Sequence, residues 1–283
     1  MKRLFVIAAI LIAFASPVRA ATNADSAGSS VEAPMFSRIA YDVYWSGFHI
    51  ADVLFTLNTG PGRYNAAMSI HPQGVLKWMS NFTADLSSEG TFLPGGVTKP
   101  TLFKREWKST KKDGVVTITH DPKTGVASTR YVETKDGVTS EKTDNPEVTA
   151  EMRTDVVDPL AVLVAMRHKL LHGQRKNLQF SLYDGKRRFD LTGDVQPTET
   201  YQIMERDHRV VPMVLDFQPI AGFNKRQDKG WREAEFRVYF SDDARSVPLQ
   251  IMLDTMLGGL VLNLKDTCQV DNGDCQLVLD ERK

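Results

Sequence analysis

Ile39-Ala40-Tyr41-Asp42-Val43-Tyr44-Trp45, a break at Ser46-Gly47, then Val53-Leu54-Phe55-Thr56-Leu57 is the stretch that decides the fold. Ile39, Tyr41, Val43 and Trp45 fall on one side, with Ala40, Asp42 and Tyr44 between them. Val53, Phe55 and Leu57 repeat the pattern after the break. Side chains of a strand alternate between its two faces, so period-two apolar spacing predicts paired strands with one apolar face.

The pattern recurs outward in both directions. Phe82, Ala84 and Leu86 alternate with Thr83, Asp85 and Ser87. Leu178, Phe180 and Leu182 precede Asp184-Gly185, a hairpin signal, and Phe189 and Leu191 follow on the return. Phe236, Val238 and Phe240 come later, then Leu249, Ile251 and Leu253, then Leu260, Leu262 and Leu264 after Gly258-Gly259. So many sequential strands cannot stay in one flat open sheet. The expected fold is all-β: a strongly curved antiparallel meander rolled into an open barrel, which hides the edges. The inward rows, with Phe55, Phe82, Phe180, Phe236 and Leu262, either line a hollow or fill one.

One helix is expected to interrupt the strands, near 158–172, and to be buried. Asp158 suits the N-cap, Pro159 the first helical position and Gly173 the residue just past the end. Leu160, Leu163, Val164, Met166, Leu170 and Leu171 cover a broad apolar face. Residues 133–155 are polar and turn-rich, a long loop or weak hairpin.

Residues 1–20 read as a secretory signal: Lys2-Arg3, an apolar run from Leu4 to Phe14, and a small-residue cleavage site at Val18-Arg19-Ala20. The run is too short to span a bilayer. Residues 21–36 read as a flexible lead-in and 37–283 as a single β-rich domain. Export places the mature chain in the periplasm. Over all 283 residues, 35 basic and 35 acidic residues cancel. Removing Lys2, Arg3 and Arg19 leaves 32 basic against 35 acidic, a net of −3. Such a balance argues against nucleic-acid binding, which needs a basic face. No later run is long and apolar enough to cross a membrane as a helix.

Cys268 and Cys275 are the only thiols, and Asp271-Asn272-Gly273 between them is a turn signal. In an oxidising compartment they are expected to form a disulfide. Six intervening residues do not make a redox or zinc C-x-x-C spacing.

Four further segments carry a likeness. Tyr41-Asp42-Val43-Tyr44-Trp45-Ser46-Gly47 continues to Ile50-Ala51. Tyr64 is followed by Ser88-Glu89-Gly90 and Lys99-Pro100. Asp158-Pro159-Leu160 runs on to Arg167. Ser241-Asp242-Asp243-Ala244-Arg245 leads into Val247-Pro248-Leu249. In this order, over about residues 38–265, the chain resembles the bacterial exported proteins grouped as domain of unknown function 3108. The resemblance implies an exported, β-rich protein, and it carries no catalytic residue over.

The residues themselves point to little chemistry. His168 and His172 stand four apart on the expected helix, but H-E-x-x-H is absent. They read as polar residues near a helix C-terminus, where the dipole favours protonated His. Asp242, Asp243 and Arg245 read as a turn, since adjacent Asp residues on a strand point opposite ways. Lys104, Arg105, Lys108, Lys111 and Lys112, and Lys186-Arg187-Arg188, read as solvated strand edges. The alternative is contact with anionic headgroups. No catalytic motif, metal site or cofactor is assigned.

The candidate ligand-binding segment is Gly74-Val75-Leu76-Lys77-Trp78-Met79. Val75, Leu76, Trp78 and Met79 are an apolar lip at the mouth of the roll, suited to an acyl chain or a membrane. The first expected function is a non-enzymatic periplasmic protein supporting the cell envelope, with a lipid or other apolar ligand in the roll. The alternatives are a protein-interaction scaffold with a filled core and a hydrolase acting on envelope glycan or lipid. The expected partner is an envelope lipid or an envelope protein.

Overall fold

The computed structural model describes residues 35–256 and 258–270; of Met35, Phe36, Val75 and residues 267–270 the backbone alone is described. The signal segment, most of the lead-in and the Cys268–Cys275 pairing lie outside the described residues.

Among the described residues fifteen strands form one antiparallel sheet, most of them where the period-two alternation runs. The first half holds β1 (Met35–Trp45), β2 (Phe48–Gly60), β3 (Arg63–Pro72), β4 (Thr83–Leu93), β5 (Val97–Lys108), β6 (Lys112–His120), β7 (Ala127–Lys135) and β8 (Val138–Lys142). The second half holds β9 (Leu178–Tyr183), β10 (Arg188–Val195), β11 (Glu199–Ile203), β12 (Arg206–Ala221), β13 (Glu235–Ser241), β14 (Pro248–Thr255) and β15 (Gly258–Val270). The path runs β8 to β1, then β15 back through β12 to β10 and β9, with β11 added beside β12. The two halves join where β1 pairs with β15, in a register that sets Val43 opposite Leu262 and Trp45 opposite Leu260. The inward rows are buried as the alternation demands, including Val43, Phe55, Phe180, Phe236 and Leu262; the expectation for Phe82 is corrected, since it precedes β4 and packs only partly on the core.

The sheet stays open between its edge strands β8 and β9, and residues 144–157 bridge the gap beside the start of β7. Isolated bridges tie Val126 to Thr154 and Val157 to Leu182. Polar side chains complete the seam. Arg153 pairs with Asp144 at 2.8 Å, and its guanidinium donates to the Ala127 carbonyl. Thr129 donates to the Tyr183 hydroxyl at 3.0 Å. Arg188, fully buried, donates to the Met152 carbonyl at 2.8 Å and to Asp190 at 2.7 Å. The expected weak hairpin within 133–155 is β7–β8, and the rest of that segment is the seam.

The expectation of one helix is corrected to three among the described residues: α1 (Gly74–Ser80), α2 (Ala161–Leu171) and α3 (Lys225–Arg232). Helix α2 is the expected buried one. Pro159 and Leu160 form a turn before its first residue, so it begins later than the Asp158 signal suggests. Asp158 still caps it, accepting from the Leu160 and Ala161 amides at 2.9 and 2.8 Å. Apolar side chains are buried all round α2, so it belongs inside the roll. Helix α3 opens with a capping box, Asn224 and Gln227 exchanging hydrogen bonds, and buries Trp231.

The reading of the basic stretches as strand edges is also corrected. Strands β5 and β10 lie inside the sheet path. Arg187 pairs with Asp184 at 3.1 Å, and Arg188 is a seam residue.

Candidate functional site

The apolar lip is helix α1, between β3 and β4. Its backbone starts against the β1–β2 hairpin: the Gln73 amide donates to the Ile50 carbonyl at 2.8 Å. Gly74 has φ +51, and a Cβ there would sit 3.1 Å from the His49 carbonyl oxygen. A side chain at this position would lift α1 off the hairpin. Of the four lip residues, Leu76 packs partly on the core. Trp78 is 84% exposed and Met79 43%. The side chain of Val75 lies outside the described residues. The lip therefore faces solvent more than it faces the roll.

Under α1 lies a polar cluster that sequence reasoning missed. Asp42 on β1 stands directly opposite Asp52 on β2. Like charges in opposite positions repel, and the surroundings answer them. Lys265 of β15 places its ammonium 3.1 Å from Asp42 Oδ1 and 4.0 Å from Asp52 Oδ1. His49 Nε2 lies 3.0 Å from Asp52 Oδ1 and 3.8 Å from Asp42 Oδ1. Gln73 donates to Asp52 Oδ2 at 2.7 Å. Asp42, His49 and Asp52 group their ligand atoms within 4.8 Å, as a metal site would. The Lys265 ammonium already supplies the positive charge, so the cluster acts as a polar anchor that holds Gln73 and the start of α1.

Inside the roll, α2 occupies the space between the two halves of the sheet. A small apolar cavity of about 50 Å³ remains beside its first turn, lined by Met68, Leu86, Leu160, Leu163, Ile251 and Leu262 among others. That is far below the roughly 300–1,000 Å³ of a ligand pocket.

The four segments that carried the family likeness meet around this helix. The Tyr41 hydroxyl donates to the Pro248 carbonyl at 2.8 Å, joining the first segment to the fourth. Ser88 donates to Asp158 at 2.7 Å and lies 3.3 Å from the Tyr64 hydroxyl, joining the second to the third. Arg167 donates to the Arg245 carbonyl at 2.9 Å, joining the third to the fourth. Burial pushes the Asp158 carboxyl up to about 6, against the downward pull of Ser88 and the Ala161 and Leu160 amides. Ser88 and Asp158 are both buried and already satisfied by structural bonds.

The remaining candidates are structural. Asp243 accepts from the Arg245 and Ser246 amides at 2.9 and 3.1 Å and pairs with the Arg245 guanidinium at 2.7 Å, the expected turn. His168 stacks on Phe92 with ring centroids 4.2 Å apart, and His172 packs beside it at the same separation. The expectation that the helix end favours protonated His is corrected for His168. Burial pushes it down to about 4, helped by His172, Arg167 and Lys169 nearby. A depressed histidine stabilises the fold above its unfolded value, near 6.5, and loses that contribution as pH falls toward 4. The urea midpoint should therefore drop between pH 6.5 and 4, and His168→Gln should flatten that drop. An unchanged slope in the variant would remove His168 from the account.

Together these features define an all-β open barrel plugged by a helix. The chain belongs to the family of proteins of unknown function DUF3108, whose model matches residues 40–265. No curated protein matches it. Among solved structures it is similar to a β-barrel-like protein of the family DUF1849 from Brucella abortus, with 13% sequence identity and a TM-score of 0.50. The alignment covers 84% of this chain and 98% of that one. At such low identity the likeness speaks for the fold alone.

Proposed function

We propose that this chain is a non-enzymatic, exported protein of the cell envelope that works through its outer surface. The observation that carries this reading is the convergence of the four family segments on α2. They hold a helix inside the roll, and Tyr64, Glu89 and Gly90 of the second segment also line an open cleft of about 380 Å³ on the outer side. A residual cavity of about 50 Å³ has no room for an acyl chain without expelling that helix. This favours the filled scaffold over a carrier with a ligand in the roll. The hydrolase reading has less support, because its best Ser and Asp are buried and committed to capping α2.

The test is native mass spectrometry on mature protein released from the periplasm by osmotic shock, with lipid analysis of an organic extract. The expected result is a periplasmic chain cleaved near Ala20, with the mass of the bare polypeptide. A lipid extracted at one mole per mole of protein would reverse the choice and restore the carrier reading.

A further inference from the structure

We infer that one end of the barrel is a docking surface for an anionic phospholipid bilayer. The inference rests on the reading of the chain as an envelope protein acting through its surface. Direct contacts join several turns into a continuous rim at this end. The β5–β6 turn reaches α1 through Thr110, whose amide and hydroxyl both donate to the Ser80 carbonyl at 3.0 Å. Helix α1 sits on the β1–β2 hairpin through Gln73 and Ile50. That hairpin meets the β14–β15 turn where the Ser46 amide donates to the Gly259 carbonyl at 2.9 Å. Met256 of the same turn reaches α3, its sulfur 3.7 Å from where a Cβ on Gly230 would stand.

Large apolar side chains project from this rim. Phe48 is 74% exposed, Trp78 84% and Met256 64%, with Met79 beside them. Soluble surfaces rarely gather such side chains without a partner. The charge around them names the partner. Lys77 lies on α1, and Lys108 and Lys111 flank the turn anchored to it; all three are exposed. Lys225 and Arg226 open α3, also exposed. None of the five forms an ion pair among the described residues, nor do the exposed Asp113 and Asp254 at this end. Asp216, level with Glu235 and Asp254, and Asp85 near the start of β4 are also exposed and outside any ion pair among the described residues, whereas Asp228 is answered by Arg232 at 2.9 Å, Glu233 by Lys229 at 3.9 Å and Asp42 by Lys265 at 3.1 Å. The five free cations thus slightly outnumber the four free carboxylates at this end, although the mature chain as a whole is acidic. Trp and Phe tips that enter the headgroup region, ringed by Lys and Arg that meet phosphates, are the physical requirements of interfacial binding.

The experiment is flotation of the mature protein with vesicles of phosphatidylcholine alone or with one third phosphatidylglycerol, at 0.05 and 0.3 M salt. The expected result is binding to the anionic vesicles, weakened by salt, with a blue shift of fluorescence that disappears in Trp78→Phe. Phe48→Ser with Trp78→Ser, both at exposed sites, should cut binding at least about tenfold. Lys108→Glu with Lys111→Glu should cut it at least about tenfold on anionic vesicles only. Leu93→Ser with Val97→Ser, at the opposite end of the barrel, should leave it unchanged. No flotation with anionic vesicles, or equal loss from the opposite-end variant, overturns the docking surface. Either result leaves the filled-barrel reading intact, since that reading falls only to a stoichiometric lipid in the extract.

Discussion

Replacing Arg188 by Ala is expected to cost about 3–5 kcal/mol of folding stability, the range for breaking a buried ion pair from one side. The guanidinium is wholly buried, and its reach explains the size of the effect. It donates to the Met152 carbonyl in the seam segment, to the Phe189 carbonyl on its own strand, and to the Asp190 carboxylate. Alanine removes all three bonds and leaves Asp190 buried, with Gln179 at 3.1 Å as its remaining side-chain donor. Burial already raises the Asp190 carboxyl above its usual range, and Arg188 is the largest influence pulling it back. The check is urea unfolding of the variant against wild type. Arg188→Ala with Asp190→Ala should recover part of the loss, because the stranded charge is gone. A single-variant loss below about 1 kcal/mol would mean that the seam closes without this pair.

The second large effect is a dependence on pH. A carboxyl raised in the folded state binds protons more readily there than in the unfolded chain. Its stabilising contribution is complete below the unfolded value, near 3.8, and is lost as pH rises through about 6. For Asp158 that amounts to about 3 kcal/mol lost between pH 4 and pH 7, at 1.36 kcal/mol per unit. Asp158→Asn carries no charge at either pH, and its amide oxygen still faces the Leu160 and Ala161 amides. The variant should therefore gain on wild type by up to about 3 kcal/mol between pH 4 and pH 7 in urea unfolding. If the two curves run parallel, Asp158 does not titrate in that window. The sign is opposite to that of His168, whose contribution is lost on acidification, so the two variants separate the two groups.

Much of the architecture was legible because alternation is a local signal. The rows Ile39-Tyr41-Val43 and Leu249-Ile251-Leu253 state their own buried face. The plugging helix was equally legible, since Asp158, Pro159 and Gly173 mark its ends. Strand β8 was weaker, because Val138–Lys142 is exposed along its whole length and has no inward row. Helix α3 was missed for a related reason: it buries Trp231 alone, and its real signal was the Asn224–Gln227 capping box.

The lip was found as an apolar segment. Nothing in its six residues says that Trp78 projects to solvent while Leu76 packs inward. That depends on where the β1–β2 hairpin receives α1. The Asp42–Asp52–Lys265 cluster was invisible for a plainer reason. Its charges come from strands more than two hundred residues apart, and the β1–β15 register alone brings them together. Arg188 shows the same limit. In Lys186-Arg187-Arg188 it looks like one of three solvated cations, yet one is buried because the seam segment supplies a carbonyl.

The sequence by itself determined the class: an all-β meander with one buried helix. Period-two alternation and helix punctuation are properties of neighbouring residues, so they need no fold to be read. Tertiary structure decided everything that depends on distant segments meeting. It decided that α2 sits inside the roll, that the family segments bond to one another around it, and that Phe48, Trp78 and Met256 stand exposed at one end of the barrel. Those outcomes follow from strand register and seam closure, which no short window of sequence contains.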